Sequence, residues 1–285
     1  MSKSIQILDK GFFTTVQDGG RYGYAAIGVP ESGAMDRLSY TQANRLLNNH
    51  PNAAMLECTL VGPKIRFNHP TYFVITGAHM DVTLDGTPVK IGVPTLAKAS
   101  QILYTSKISR GTRCYIAFGG GLETATVLNS KSWYTPITPD NQIRNGATLS
   151  LGISTYGDRK GAHIKYKSAY LSAGRVHTIQ AFRGPEYRLL THSEQQLLAV
   201  PFTISKLWNR MAVQLQEPFD NKLKSIATSP VIPGTVQLTP SGKIIILMRD
   251  CQTTGGYPRI LQIAQSSINI LAQMQQGDGI LLSVT

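Results

Sequence analysis

The sequence predicts a mainly β protein built of barrels, with few and short helices. Three observations carry that expectation. Short runs rich in β-branched and aromatic residues recur along the chain, among them Tyr72-Phe73-Val74-Ile75-Thr76, Arg113 to Phe118 and Lys243 to Met248; runs of this kind read as strands. Turn formers separate them, since the chain holds 26 Gly and 15 Pro. Only three stretches carry helical spacing, and many short strands with few helices favour sandwiches or barrels. A hydrophobic share of 42% against 15% charged residues supports a packed core rather than disorder. The 285 residues suffice for one large or two ordinary domains.

The elements follow in order. Gly11 to Met35 is rich in turn residues, with Gln17, Asp18 and Arg21 set among glycines and aromatics. Asp18 and Arg21 are close enough to pair across a tight turn. That pair either fixes the turn or lines a site. Asp36 to Asn48 reads as a helix, capped by Asp36 or Ser32, with Tyr40, Ala43, Leu46 and Leu47 as its apolar stripe. Asn44 on this helix reads as a buried, satisfied amide. Ala54 to Phe118 is a strand region. Met80, Val82 and Leu84 alternate with polar residues, Asp85-Gly86 signals a hairpin, and Val89 and Ile91 resume the pattern. Glu57 sits among Met55, Leu56 and Cys58, and a carboxylate there needs a partner, for which an arginine is the expected one. Asn129 to Leu151 is irregular. Gly152 to Gly174 is polar and basic, and the domain boundary is placed there, giving an N-terminal β-rich subdomain over 1–170 and a C-terminal barrel over 171–285.

The second half opens on a strand from Arg175 to Phe182. Ser193-Glu194-Gln195-Gln196 reads as a capping box for a short helix through Ala199. Phe202 to Ser205 and Met211 to Leu215 read as strands, and Val236 to Leu238 pairs with Lys243 to Met248 around Pro240-Ser241-Gly242. Ile260 to Met274 is expected to be helical, with Ile260, Ala264, Ile268, Leu271 and Met274 on one face. Ile280 to Val284 closes the chain as a strand.

The chemistry concentrates after the strand ending at Met248. The run Arg249-Asp250-Cys251-Gln252-Thr253-Thr254-Gly255-Gly256-Tyr257-Pro258-Arg259 puts a carboxylate, a carboxamide, hydroxyls, a flexible Gly-Gly turn and a phenol into one loop. Loops on rigid scaffolds carry binding and catalytic groups, and paired glycines let a ligand approach the backbone. The bland alternative is a polar turn. Several chemistries find no support. There is no CxxC pair for zinc, no HxH or HExxH spacing among the six histidines, no GxSxG elbow and no GxxxxGK[ST] phosphate loop. No metal site is expected. The net charge of +12 invites nucleic acid, but the densest basic stretch, Arg159, Lys160, Lys165, Lys167, Arg175 and Arg183, lacks helical spacing and any nucleic-acid motif. It reads as a solvated connector, and neither nucleic acid nor a membrane is an expected partner. The N-terminus shows no apolar leader, and the longest apolar run falls far below the ~20 residues a membrane span needs, so cytoplasm is the expectation.

Seven segments taken together resemble one family. They are Thr14 to Arg21, Gly28 to Asp36, Leu56-Glu57 through Gly62-Pro63, Gly77-Ala78, Asn209-Arg210-Met211, Pro233-Gly234-Thr235-Val236-Gln237, and Asp250 to Pro258. The chain is similar to the allophanate-hydrolase-subunit-2 family, also called the biotin-dependent carboxyltransferase family. The resemblance runs from about Gly11 to Asp278. The family includes the C component of bacterial ATP-dependent 5-oxoprolinase, KipA-type antagonists of a kinase inhibitor, and half of the carboxyltransferase region of urea carboxylase. The chain departs from the family pattern at Trp208, Ala212, Ser267, Gln276 and the stretch Asn129-Ser130-Lys131-Ser132-Trp133.

The resemblance implies a cyclophilin-like β-barrel architecture of two barrel subdomains. It implies work in a hetero-oligomer with a subunit-1 (KipI-like) protein and a lactam-hydrolase subunit. The leading expectation is 5-oxoprolinase: 5-oxoproline, ATP and water give glutamate, ADP and phosphate, with ATP and its magnesium counter-ion bound in the assembled complex. The alternatives are a carboxyltransferase half acting on a urea-like amide with carboxybiotin, and a KipA-type regulator that sequesters a KipI-like inhibitor. Activating a resonance-stabilised lactam needs positive charge for phosphates and carboxylates, for which Arg21, Arg210 and Arg249 are candidates. Asp18, Asp36 and Asp250 are the candidate catalytic carboxylates. Gln17, Arg21, Asn209, Arg210, Gln252, Thr254, Gly255, Gly256 and Tyr257 are the candidate substrate-binding groups.

Overall fold

A computed structural model describes residues 3–156 and 176–285. These fall into two compact units. One is drawn from Met1–Arg21 and Ser32–Tyr170, the other from Tyr22–Glu31 and Leu171–Thr285. The expected boundary between residues 170 and 171 lies outside the described residues, as do Arg159, Lys160, Lys165, Lys167 and Arg175 of the basic stretch. The glycine-rich segment read as one loop is divided: residues 22–31 belong with the C-terminal half of the chain.

The first unit is two antiparallel sheets around one core. Its strands are β1 (Ser4–Asp9), β2 (Phe13–Gln17), β3 (Met55–Thr59), β4 (Lys64–Phe67), β5 (Thr71–His79), β6 (Val82–Leu84), β7 (Thr87–Pro88), β8 (Thr95–Ala97), β9 (Ile102–Thr105), β10 (Arg110–Phe118) and β11 (Thr148–Ser150). The order is β11-β1-β4-β9-β6-β7 in one sheet and β2-β3-β10-β5-β8 in the other. The period of two along β10 explains why both faces of the second sheet are buried. Cys114, Ile116 and Phe118 join Ile5, Ile7 and Phe67 in the core between the sheets. Tyr115 and Ala117 point the other way, onto Tyr40 and Ala43 of the helix α1 (Arg37–Leu46) and its C-cap Leu47. Asp36 caps that helix and its side chain accepts from the amides of Leu38 and Ser39, so Asp36 rather than Ser32 is the cap. Asp85 and Gly86, both at positive φ, form the expected β6–β7 hairpin turn. Cys58 and Cys114, 56 positions apart in sequence (114 − 58), are direct cross-strand partners.

The second unit is a closed barrel. Its strands are β12 (Val176–Arg183), β13 (Pro201–Trp208), β14 (Ala212–Leu215), β15 (Ser229–Pro230), β16 (Thr235–Leu238), β17 (Ile244–Leu247), β18 (Thr254–Gly255), β19 (Arg259–Ile263) and β20 (Gly279–Val284). The barrel runs β12-β19-β16-β17-β14-β13-β20 and closes through the parallel pair β20–β12. Val236, Leu238, Ile244, Ile246, Ile204 and Leu215 are all buried in it. The mainly β expectation holds, with the barrel in this unit; in the first unit the strands form two facing sheets.

Two elements differ from the sequence reading. The helix expected over 260–274 is a strand through Ile263 followed by α3 (Gln265–Leu271). Arg-Ile-Leu-Gln-Ile fits either period, and the ladders to β12 and β16 on its two sides decide for a strand. The capping box belongs to Thr191 and Glu194, two positions upstream of the expected one, and opens α2 (His192–Leu197).

Candidate functional site

The sequence-expected residues divide between the units. In the first, β2 ends at Gln17 and delivers Asp18 into a cage. The Asp18 carboxylate accepts from the Gly20 amide at 2.9 Å, the Ser130 hydroxyl at 2.7 Å, the Ser132 hydroxyl at 2.6 Å and the Lys131 amide at 2.7 Å. Arg21, 1% exposed, does not pair with it as expected. Instead it donates to the carbonyls of Val127 at 3.1 Å and Ser132 at 2.8 Å. Both charges therefore hold the 127–132 loop from opposite polarities. Gln17 adds a bond from its Nε2 to the Trp133 carbonyl at 3.1 Å, and its buried Oε1 has no hydrogen-bond partner.

Asp36 stands apart from that cage. Its carboxylate is occupied by the α1 cap and by the Ser39 hydroxyl at 2.6 Å. Its amide donates to the Tyr115 hydroxyl at 2.7 Å, which itself donates to Glu57 at 2.8 Å. Arg113 lies 3.8 Å from the other Glu57 oxygen, supplying the expected arginine. Burial, then the charges of Glu57 and Asp36, push the Tyr115 phenol well above its ordinary range. Asn44 is buried and donates to the Ala53 carbonyl at 2.9 Å, as a structural amide does.

In the second unit, β17 delivers Arg249 and Asp250. Asp250 meets Arg210 in a two-pronged pair, Nε to Oδ2 at 2.7 Å and Nη2 to Oδ1 at 3.0 Å, with both side chains buried. Arg249 is buried and donates to Gln265 at 3.2 Å. Asn209 accepts from the Met211 and Ala212 amides at 2.7 and 3.0 Å and thereby closes the β13–β14 turn. Burial, then the charges of Glu31 and Asp250, push the Cys251 thiol up to about 12, which disfavours the thiolate.

Beyond this anchored base the loop opens. Gln252, Thr254 and Tyr257 are exposed, Tyr257 by 40%. Thr254–Gly255 pairs with Ser229–Pro230 in a two-residue ladder. Gly255 is bare because a Cβ there would stand 2.4 Å from the Gln237 amide nitrogen, so a protein side chain fills the space the sequence reading left for a ligand. At Gly256 the nearest atom to such a Cβ is 3.5 Å away, and this glycine has room. Among the described residues no group of three or more His, Cys, Asp or Glu is arranged to hold a metal.

Sequence reasoning missed Ser130, Lys131, Ser132 and Gln237. The first three were visible only as a stretch departing from a family pattern; their role depends on a carboxylate 112 positions or more upstream.

Similarity to known proteins bears on what this geometry serves. The family described as "Carboxyltransferase domain, subdomain A and B" matches residues 27–283. The chain is 32% identical over 283 residues to the C component of 5-oxoprolinase from Escherichia coli (strain K12), covering 97% of this chain and 89% of that protein. It is 37% identical over 150 residues to the urea amidolyase of Lachancea kluyveri, which is 52% of this chain and 8% of that protein. The crystal structure of TTHA0988 matches 99% of this chain with a TM-score of 0.89, at 24% identity and over 55% of that longer chain. That likeness shows the fold. No described helix is long and apolar enough to cross a membrane.

Proposed function

Because the chain belongs to the family of carboxyltransferase domains with subdomains A and B, we propose that it is the C component of an ATP-dependent 5-oxoprolinase. It works with partner subunits, a KipI-like protein and a lactam hydrolase, to convert 5-oxoproline to glutamate. The observation that carries this reading is the extent of the similarity to the bacterial protein, 97% of this chain and 89% of that one. The urea amidolyase likeness covers 52% of this chain.

The division of labour follows from what each polar group already touches. Asp18, Arg21, Asp36, Asn209, Arg210 and Asp250 each hold neighbouring backbone or a side-chain partner through hydrogen bonds, so we assign them to positioning. Gln252, Thr254, Gly256 and Tyr257 present open hydrogen-bonding groups or room on a loop whose base the buried Arg210–Asp250 pair fixes, so we assign them to substrate contact. Among the described residues the donor set does not fit a triphosphate. At Gly119-Gly120-Gly121 a Cβ on Gly120 would meet the Gly152 carbonyl at 2.3 Å, so packed backbone occupies the space a phosphate would need. Arg21, Arg210 and Arg249 are buried among carbonyl, carboxylate and amide oxygens. In this reading ATP and its magnesium sit on a partner subunit, and no step through them is assigned to this chain.

The test is substitution within the assembled complex. Gln252→Ala and Tyr257→Phe should each lower glutamate release by about tenfold or more, the scale of one lost hydrogen bond at a reacting amide, while melting stays unchanged. Full activity in both variants would remove this loop from the site. A second reading, carboxyl transfer from carboxybiotin to a urea-like amide, is favoured by the 37% identity to the yeast urea amidolyase. It requires biotin carried on another protein, and its signature is carboxylation of urea in the absence of 5-oxoproline turnover.

A further inference from the structure

Gln237 lies on β16 between Val236 and Leu238 and is 2% exposed. Its Oε1 accepts from Gln252 Nε2 at 3.4 Å. Its own Nε2 is buried and has no hydrogen-bond partner. A buried amide donor left without an acceptor is costly, and such exceptions in folded proteins call for an explanation. The fold does not require a carboxamide here, since an apolar side chain of equal size would remove the penalty.

Gln252 makes that one side-chain bond among the described residues and is otherwise exposed. Two carboxamides can form a closed pair with two N–H···O bonds. Here only one is made. The opened pair keeps one unused donor, Gln237 Nε2, and one unused acceptor, Gln252 Oε1. Interchanging oxygen and nitrogen in both amides keeps their shared bond and again leaves one donor and one acceptor.

We infer that Gln237 and Gln252 bind the cis-amide edge of a small lactam or urea, Gln237 Nε2 donating to its carbonyl oxygen and Gln252 Oε1 accepting from its N–H. Such ligands hold N–H and C=O on the same side. An ordinary trans peptide holds them on opposite sides, so the edge selects against peptides. The approach is covered by Gly255, whose Cβ position lies 2.4 Å from Nε2. The ligand reaches the nitrogen by displacing the Gly255–Gly256 turn. That turn is tied by the two-residue β15–β18 ladder and by the Ile226 amide donating to the Gly256 carbonyl at 2.9 Å. The two glycines give that turn the backbone freedom to change conformation.

The inference rests on the oxoprolinase reading only in taking 5-oxoproline as the natural ligand. The ureido ring of biotin presents the same edge. The experiment is calorimetric titration of the full chain with 5-oxoproline, 2-pyrrolidinone, 2-imidazolidinone and N-methyl-2-pyrrolidinone, for wild type, Gln237→Met and Gln237→Glu. The N–H probes should bind, with N-methyl-2-pyrrolidinone about tenfold weaker or more and each variant losing about tenfold or more, as expected for one hydrogen bond at a site built to make it. Gln237→Met should melt at or above wild type, because it removes a buried unpaired donor at the cost of one 3.4 Å bond to an exposed side chain. Preference for 5-oxoproline identifies a lactam ligand, and preference for 2-imidazolidinone a ureido ligand; both support the inference. Absence of binding by every N–H probe overturns it, as does equal binding of the N-methyl probe to wild type or undiminished affinity in Gln237→Met. Gln237-dependent binding in a chain whose assembled complex releases no glutamate would end the oxoprolinase reading and leave this inference standing. Glutamate release undiminished by Gln237→Met would do the reverse.

Discussion

Asp250 and Arg210, candidate catalytic and binding groups in the sequence, meet in the fold as a buried pair. Their side chains are only 7% and 9% exposed, and each satisfies the other. Removing one strands the other as a buried charge. Arg210→Ala and Asp250→Ala should therefore each destabilise the chain by about 3–5 kcal/mol, and the double change Arg210→Met with Asp250→Leu by clearly less than the sum. Denaturant melts of the three variants check this; additive losses would show that the pair is not coupled. Lost activity in either single variant would thus report on folding before chemistry. The buried acids make a second prediction at this scale. Burial raises the Cys251 thiol from 9.0 to about 12, and burial also raises Tyr115 and Cys58 well above their ordinary values. The folded chain keeps protons that the unfolded chain gives up in alkali. Stability should be level below about pH 8.5 and fall above it, by about 1.4 kcal/mol per pH unit for each thiol that the unfolded chain ionises. Cys251→Ala should make that slope shallower. A flat profile from about pH 8 to 11 would contradict the burial of these groups.

At the scale of elements, α1 rests on one cap. Asp36→Ala removes the acceptor for the Leu38 and Ser39 amides and for the Ser39 hydroxyl, and should cost about 2 kcal/mol or somewhat more, with Asp36→Asn recovering most of it. Thermal melts of the two variants decide; equal losses would mean that the carboxylate does more than cap. This element was legible in the sequence, because an Asp directly before an apolar stripe of helical spacing is a local signal. The hairpin at Asp85-Gly86 was legible for the same reason. The segment 259–263 was not, since its residues fit two periods and the choice is made by β12 and β16, distant in sequence. The Asp18 cage was half legible. The carboxylate stood out in its glycine-rich turn, but Ser130, Lys131 and Ser132 reach it from a stretch without regular structure, and no short-range pattern announces such a contact. Gln237 was hidden inside a strand, where a buried amide looks like any other ladder residue until its missing partner is seen.

For the whole molecule, the family likeness is not confined to one unit. The family match runs from residue 27 to 283, and so spans the two-sheet unit and the barrel alike. One part of the proposed machinery, the Asp18 cage, belongs to the first unit, and the Gln252–Tyr257 loop belongs to the second. The formal charge of +12 comes from 28 Lys and Arg against 16 Asp and Glu, and such an excess favours anionic ligands or an acidic partner surface without specifying either. Activity that needs partner subunits is therefore the property to measure. The most direct measurement is ATP-dependent release of glutamate from 5-oxoproline by the co-encoded subunits, with and without this chain. Turnover is expected when the chain is present, with a return to background when it is left out. A stable complex that releases no glutamate, or one that releases it equally well without this chain, would contradict the oxoprolinase reading and move its function to carboxyl transfer or to sequestration of a partner.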